Sequence, residues 1–197
     1  MRKSKKLHFT YSAMNAGKST ALLQVAHNYD DKNLPILLYT FEKDNRYGTG
    51  LISSRIGIQR QAVTFNEMTD FLELLEDQKL EAIHCILIDE SQFLSKEQVF
   101  QLHKIAHHPQ GCPVICYGIR TDFLGNVFEG SGTLLALADE LDEIKNICDC
   151  GKKATLNIRL DEKGFKVQQG DQILIGGNSL YRSVCGCCFY KDQHVIK

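Results

Sequence analysis

No apolar run in this 197-residue chain approaches the length needed to cross a bilayer. The basic start from Met1 to Lys6 is followed by too few apolar residues to supply the hydrophobic region of a secretory signal. A membrane span and export are therefore not expected, and the chain is read as soluble and cytoplasmic. Proline is scarce, at three residues, and low-complexity tracts are missing; with 43% hydrophobic and 24% charged residues the composition is that of an ordinary globular protein. An excess of positive charge is missing too. A net charge of -1 and a pI near 6.6 count against a surface devoted to nucleic-acid phosphates, and no nucleic-acid partner is expected. The length suits one medium domain, or one domain with a small appendage.

What is present is organised around Leu7 to Thr20. Leu7 to Tyr11 has the alternation of a strand, and the residues from Thr20 recur at helical period, so Ser12 to Ser19 joins a strand to a helix. Amide groups at the opening of a helix lack internal partners and sit at the positive end of its dipole, so such a loop suits a polyphosphate. Lys18 would reach the outer phosphates and the Ser19 hydroxyl would ligate Mg²⁺. The pattern's leading glycine is replaced by Ser12, which carries a steric cost for any positive φ that glycine would take freely.

Beyond the loop, a helix is expected over Thr20 to Tyr29 and a strand over Ile36 to Thr40. A long polar loop from Phe41 to Gln61 holds Asp44, Arg46, Ser53, Ser54 and Arg55, and its length suggests a functional reason. A short strand at Ala62 to Phe65, a helix over Met68 to Leu75 and a buried strand from Ile83 follow, the last running into Asp89, Glu90, Ser91 and Gln92. Ser95 to Gln98 has the form of a capping box opening a helix to His107. A strand from Cys112 to Tyr117 and a helix over Gly132 to Glu140 complete the series. Alternating strands and helices indicate an α/β fold with an open, mainly parallel sheet whose ligands lie beyond the carboxyl ends of the strands.

An apolar strand ending in Asp89 is the usual partner of a phosphate loop, its carboxylate holding Mg²⁺ beside Ser19. Glu90 is then the candidate general base toward an alcohol, or toward water. Arg46 and Arg120 lie in polar loops after strands, where they could neutralise phosphate charge. The seven histidines show no catalytic partner spacing and read as strand, helix-surface and tail residues.

Eight cysteines are present without an export signal, so a disulfide framework is not the expectation. Cys85, Cys112 and Cys116 lie in apolar runs and read as small buried hydrophobes. Cys148 and Cys150 with Cys185 and Cys188 would make a closed, structural Cys₄ zinc site, with Cys187 an alternative fourth ligand. The texture changes at Cys148, which places a boundary after Ile147: residues 1–147 as a phosphate-loop core and 148–197 as a small zinc-binding unit. About fifty residues support only a weak core, which a metal would reinforce.

Taken in order, Tyr11 to Thr20, Asp44-Asn-Arg-Tyr, Asp89-Glu-Ser-Gln-Phe, Gly118-Ile-Arg-Thr-Asp-Phe, Cys148-Asp-Cys-Gly-Lys-Lys-Ala and Ile175-Gly-Gly-Asn with Tyr181 closely resemble the type II thymidine kinases. The resemblance runs from Leu7 to about Tyr190. It implies a RecA-like P-loop core with a zinc-bearing lasso, and phosphorylation of the thymidine 5′-hydroxyl by Mg·ATP in deoxynucleoside salvage for DNA synthesis. It also implies a homotetramer and feedback inhibition by dTTP. By resemblance, Ser12, Ala13, Met14, Asn15, Ala16, Gly17, Lys18 and Ser19 would hold the ATP phosphates. Asp89, Glu90, Ser91 and Gln92 would form the acidic site, with Glu90 the base. Met14, Phe93, Ile119 and Phe123 look like apolar walls of the nucleoside pocket. Tyr181 and the main chain of Gln172, Ile173, Leu174, Ile175 and Gly176 look like groups closing over the base. The Cys-x-Cys of the first metal pair departs from the family's common Cys-x-x-Cys. A competing class, a nucleic-acid-dependent ATPase, shares the phosphate loop, acidic motif and zinc module, but the neutral charge and absence of an evident basic groove stand against it.

Overall fold

In the computed structural model, which describes residues 5–44, 46–76, 78–172 and 180–191, the alternation of strands and helices closes into a six-stranded sheet paired in parallel throughout. β1 (Leu7–Ser12) leads into α1 (Lys18–Asp30) and β2 (Ile36–Phe41). A small hairpin of β3 (Leu51–Ser53) and β4 (Gln59–Gln61) precedes β5 (Val63–Phe65) and the short helix α2 (Glu73–Glu76). β6 (Cys85–Ile88), a 3₁₀ turn at Ser91–Phe93, α3 (Lys96–His107), β7 (Val114–Ile119), α4 (Glu129–Leu137) and β8 (Glu140–Glu143) follow. The spatial order is β5-β2-β6-β7-β1-β8.

Strand alternation divides the core between the two faces. On β6, Ile86 and Ile88 join Phe9, Phe65, Phe71 and Val114 under Val99, Leu102 and Ile105 of α3 and Leu134 of α4. Cys85 and Leu87 point the other way, to Leu38, Tyr117 and the Leu22, Leu23 and Ala26 stripe of α1. Both faces of the sheet are covered, as parallel sheets require. Cys85, Cys112 and Cys116 are buried and free, in agreement with their reading as small hydrophobes.

Three local expectations are corrected. The loop over 41–61 contains the β3–β4 hairpin, anchored by Ile52 against the α1 side of the core. The helix expected over Met68 to Leu75 is confined to Glu73–Glu76, because side chains capture the preceding amides: Asn66 Oδ1 accepts from Met68 N at 2.9 Å and Asp70 Oδ1 from Leu72 N at 2.8 Å. The helix expected to reach Glu140 ends at Leu137, and Glu140–Glu143 instead pairs with β1 as an edge strand. Its acidic residues disguise a strand that has no second partner among the described residues, and charges there oppose pairing with other chains. The capping box of α3 is as expected, with Gln98 N donating to Ser95 Oγ at 3.2 Å and Ser95 N donating to Gln98 Oε1 at 3.0 Å.

Past the sheet, β9 (Asn146–Ile147) and β10 (Lys153–Ala154) form one antiparallel pair, and β11 (Leu156–Arg159) and β12 (Tyr181–Val184) another, before the single turn α5 (Gly186–Phe189). Ile158, Leu160, Val184 and Phe189 pack with Cys148, Cys185 and Cys188 into a separate small core. Ile173, Leu174, Ile175 and Gly176 lie outside the described residues.

The turn after β6 is packed so closely that two glycines are required around it. A β-carbon on Gly118 of β7 would lie 2.7 Å from Ser91 Oγ, and one on Gly130 of α4 would lie 2.5 Å from the Leu94 carbonyl oxygen and 2.8 Å from that of Ser91. Gly130→Ala is expected to lower unfolding stability by about 1–3 kcal/mol, read as a reduced urea midpoint, because backbone must move to admit the methyl. An unchanged midpoint would show that the turn yields freely.

Candidate active site

The carboxyl ends of β1, β6 and β7 lie side by side, and the loops leaving them build one cleft of about 290 Å³. Met14 to Thr20 line it. The helix start carries no side-chain cap: Gly17, at φ 88°, precedes Lys18 and leaves the first-turn amides open to an anion. Ser12 is buried at the end of β1 and is not among the residues with positive φ, so the cost expected there is not incurred. Asn15 instead takes the left-handed conformation, at φ 62°, which asparagine tolerates better than most residues. The Lys18 ammonium donates to Ser12 Oγ at 3.1 Å and to the Ala13 carbonyl at 3.2 Å. Its desolvation pushes its pKa down, opposed by the charges of Glu90 and Asp89.

Asp89 follows β6 and is buried; its Oδ2 accepts from Ser19 Oγ at 3.0 Å, joining the two loops. Burial, then the charge of Glu90, pushes the Asp89 pKa up to about 7 against the hydrogen bonds from Glu90 N and Ser19 and the charge of Lys18. Glu90 itself is held in the left-handed region, at φ 53°, a strained conformation for a residue with a side chain. That conformation accompanies two ties: Arg46 Nη2 donates to Glu90 Oε1 at 2.5 Å, and Gln92 Nε2 to Glu90 Oε2 at 2.6 Å. Asp44 accepts from the same guanidinium at 2.6 Å through each oxygen and, ahead of Glu90, holds the Arg46 pKa above its usual value. Gln92 Oε1 in turn accepts from Ile119 N at 3.2 Å, which fixes this group to the end of β7.

One wall of the cleft is apolar and aromatic. Phe93 lies between Phe41, with ring centroids 4.5 Å apart, and Phe128, which meets it edge-on at 5.9 Å. Ile119, Phe123, Gln172 and Tyr181 also line the cleft. Arg159 stacks its guanidinium 3.9 Å from the Phe123 centroid, and Gln172 Nε2 donates to Asp122 Oδ2 at 3.1 Å. Of the expected positions, Ser12, Ala13, Asp89, Ser91 and Arg120 are not among the residues that line the cleft. Ser91 is fully buried beneath the cleft against Gly118, and Arg120 donates to the Thr155 carbonyl at 3.2 Å while stacking on Tyr11. Arg55, from the β3–β4 hairpin, lines the cleft instead and donates to Asn15 Oδ1.

Sequence reading missed the group that holds the phosphate loop from behind. Met14 N donates to Asn157 Oδ1 at 2.8 Å; the Met14 carbonyl accepts from Asn146 Nδ2 at 2.9 Å and from the Ser183 hydroxyl. All three side chains come from β9, β11 and β12, so the C-terminal segment clamps one residue of the loop. Asn157 is buried and also donates to the Thr121 carbonyl at 3.3 Å. A lone asparagine or serine in a strand offers no local signal of such contacts.

The C-terminal cysteines meet as expected. The sulfurs of Cys148, Cys150, Cys185 and Cys188 lie within 4.8 Å of one another, with Cys150 3.5 Å from both Cys148 and Cys185. Four thiolates about a zinc ion stand about 3.8 Å apart, so the cluster fits that ion. Cys187 is exposed, near the Lys152 ammonium, and stands outside the cluster. The hairpin of β9 and β10 accommodates the shortened Cys-x-Cys spacing, with Gly151 at φ 81° and Cys148 N donating to the Lys152 carbonyl at 2.8 Å.

A parallel sheet, an uncapped helix start behind a Gly-Lys-Ser loop, and a buried aspartate hydrogen-bonded across to that serine define an α/β protein of the phosphate-loop class. The family model described as thymidine kinase matches residues 5–189. Relatives named thymidine kinase include that of Chromobacterium violaceum, 52% identical over 95% of this chain and 99% of its own, and that of Idiomarina loihiensis, 55% identical over 91% and 93%. That of Yersinia pestis is 53% identical over 91% of each. The chain belongs to the thymidine kinase family and is an enzyme. Among solved structures, the Pif1 helicase from Candida albicans aligns at a TM-score of 0.45 and 16% identity over 73% of this chain and 36% of that one.

Asn157→Ala is expected to weaken nucleotide binding roughly tenfold and to lower stability by about 1–3 kcal/mol, because the Met14 amide loses its acceptor. Nucleotide titration and urea unfolding of the variant check this.

Proposed function

We propose that this chain transfers the γ-phosphoryl group of Mg·ATP to the 5′-hydroxyl of thymidine, giving thymidine monophosphate and ADP. The observation that carries the reading is that one cleft is lined by the phosphate loop, by Glu90 and by an aromatic wall. In this reading the loop amides and Lys18 surround the polyphosphate, and Arg55, beside Asn15, adds positive charge. Arg46 serves chiefly to orient Glu90, and Arg120 braces the C-terminal segment rather than the phosphates. Ser19 and Asp89 would hold Mg²⁺: the buried Asp89 carboxylate, with its raised pKa, fits a bound cation that favours its ionised form. The metal would neutralise charge developing on the transferred group.

Each Glu90 oxygen keeps a second acceptor direction after its tie to Arg46 or Gln92. A carboxylate held in place in this way suits phosphoryl transfer: the loose transition state asks mainly for an oriented hydroxyl and late proton removal. Phe93, Phe128, Ile119, Phe123 and Tyr181 would enclose the nucleoside, and residues 172–176 would read the base edge. The four cysteines would hold structural zinc, stabilising residues 148–197 as a lasso on a core of 1–147. Feedback inhibition by dTTP, a homotetramer and a cytoplasmic role in salvage for DNA synthesis belong to the same reading, on family resemblance.

Glu90→Gln is expected to leave nucleotide binding intact and to cut turnover by roughly 10²–10⁴-fold; near-normal turnover would remove Glu90 from the chemistry. The reaction is tested by following ADP and nucleotide products from Mg·ATP with thymidine, deoxyuridine, deoxycytidine or single-stranded DNA. Thymidine monophosphate should appear in step with ADP. Deoxycytidine, with its reversed hydrogen-bonding edge, should lose about 10⁴-fold, whereas the missing methyl of deoxyuridine is worth about 1–3 kcal/mol. ADP formed only with DNA, without a nucleotide product, would overturn the proposal.

A further inference from the structure

Outside the cleft lining, the end of α3 carries two histidines one helical turn apart, His103 and His107, whose tilted rings have centroids 4.3 Å apart. Asp139, between α4 and the edge strand β8, faces them: the ligand atoms of the three side chains lie within 4.8 Å of one another, and His107 Nε2 is 3.3 Å from Asp139 Oδ1. Two ligand atoms on one ion of zinc size stand about 3–3.4 Å apart. The neighbouring hydrogen bonds orient the donors. His107 Nδ1 lies 2.9 Å from the His103 carbonyl, an acceptor only, and this contact fixes the ring with Nε2 turned toward Asp139, where a bound cation would take the place of a shared proton. Asp139 Oδ2 accepts from Leu7 N at 2.8 Å, which leaves Oδ1 toward the histidines. The final turn of a helix is also the negative end of its dipole, favourable for a cation.

We propose that His103, His107 and Asp139 form a surface site for a divalent transition-metal cation, made of different residues from the four-cysteine cluster, that ties the end of α3 to the β1–β8 edge of the sheet. Two imidazoles and one carboxylate suit nickel, copper or zinc, and not the hard cations magnesium and calcium.

The test uses untagged protein whose cysteine cluster has first been filled with zinc, titrated with Ni²⁺ by equilibrium dialysis. The expected result is one Ni²⁺ per chain, bound at least ~10-fold more weakly after His103→Gln or His107→Gln. His27→Gln should bind as the unaltered chain does, since its exposed pair with Asp31, at 3.7 Å, has no third ligand among the described residues. At 100-fold excess over Kd, Ni²⁺ should raise the Tm by roughly 5 °C, and this rise should vanish in the double variant. Asp139→Asn keeps an acceptor for the Leu7 amide and should also weaken binding, which guards against a histidine variant that fails to fold. Absence of Ni²⁺ uptake, or uptake unchanged in the double histidine variant, would overturn the site.

Discussion

The hydrogen bond between Ser19 and Asp89 links the first turn of α1, which follows β1, to the end of β6, across the strand β7 that separates the two in the sheet. Burial of the Asp89 carboxylate is costly, which is why its pKa is driven up to about 7. Asp44, Asp89 and Glu90 together bring three carboxylates against the two cations Lys18 and Arg46. That balance favours any additional positive charge, whether from Arg55 or from a metal ion. The left-handed backbone at Glu90 belongs to the same constraint: one residue turns the chain sharply enough to direct adjacent carboxylates to different partners, Asp89 to Ser19 and Glu90 to Arg46 and Gln92.

The second constraint acts on the phosphate loop from the other side. Asn146, Asn157 and Ser183 all bond to the peptide groups of Met14, so the loop is held by strands that depend on a very small core. Three of the four clustered cysteines belong to that core. Holding those sulfurs together therefore bears on the loop through three defined hydrogen bonds, and the cysteine-bearing segment does more than cover the cleft. Arg120, bonded to the Thr155 carbonyl, and Gln172, bonded to Asp122, reinforce the same junction.

Legibility followed the range of the interactions. The Gly-Lys-Ser loop, the aspartate at the end of β6, the capping box of α3 and the paired cysteine clusters were readable because each is a local pattern with a local physical cause. The helix over Met68 to Leu75 was misread because period alone does not reveal that Asn66 and Asp70 capture the amides it needs. β8 was misread because an acidic edge strand lacks the apolar alternation of its buried neighbours. Arg55 was visible as part of a polar loop, but its approach to Asn15 depends on the β3–β4 hairpin folding back over α1.

By itself the sequence determined the strand-loop-helix at the start, the alternation that yields a parallel sheet, the family, and which cysteines are grouped. Those features rest on neighbours a few residues apart or on motifs whose order is diagnostic. Only the tertiary structure decided that Cys188 and not Cys187 joins the cluster, that Arg120 turns to Thr155 while Arg55 reaches the cleft, and that Asn157 clamps Met14. Such choices are made between residues far apart in sequence. They turn on which side chain a strand's register and a turn's direction bring within hydrogen-bonding distance, and period and composition carry no record of that.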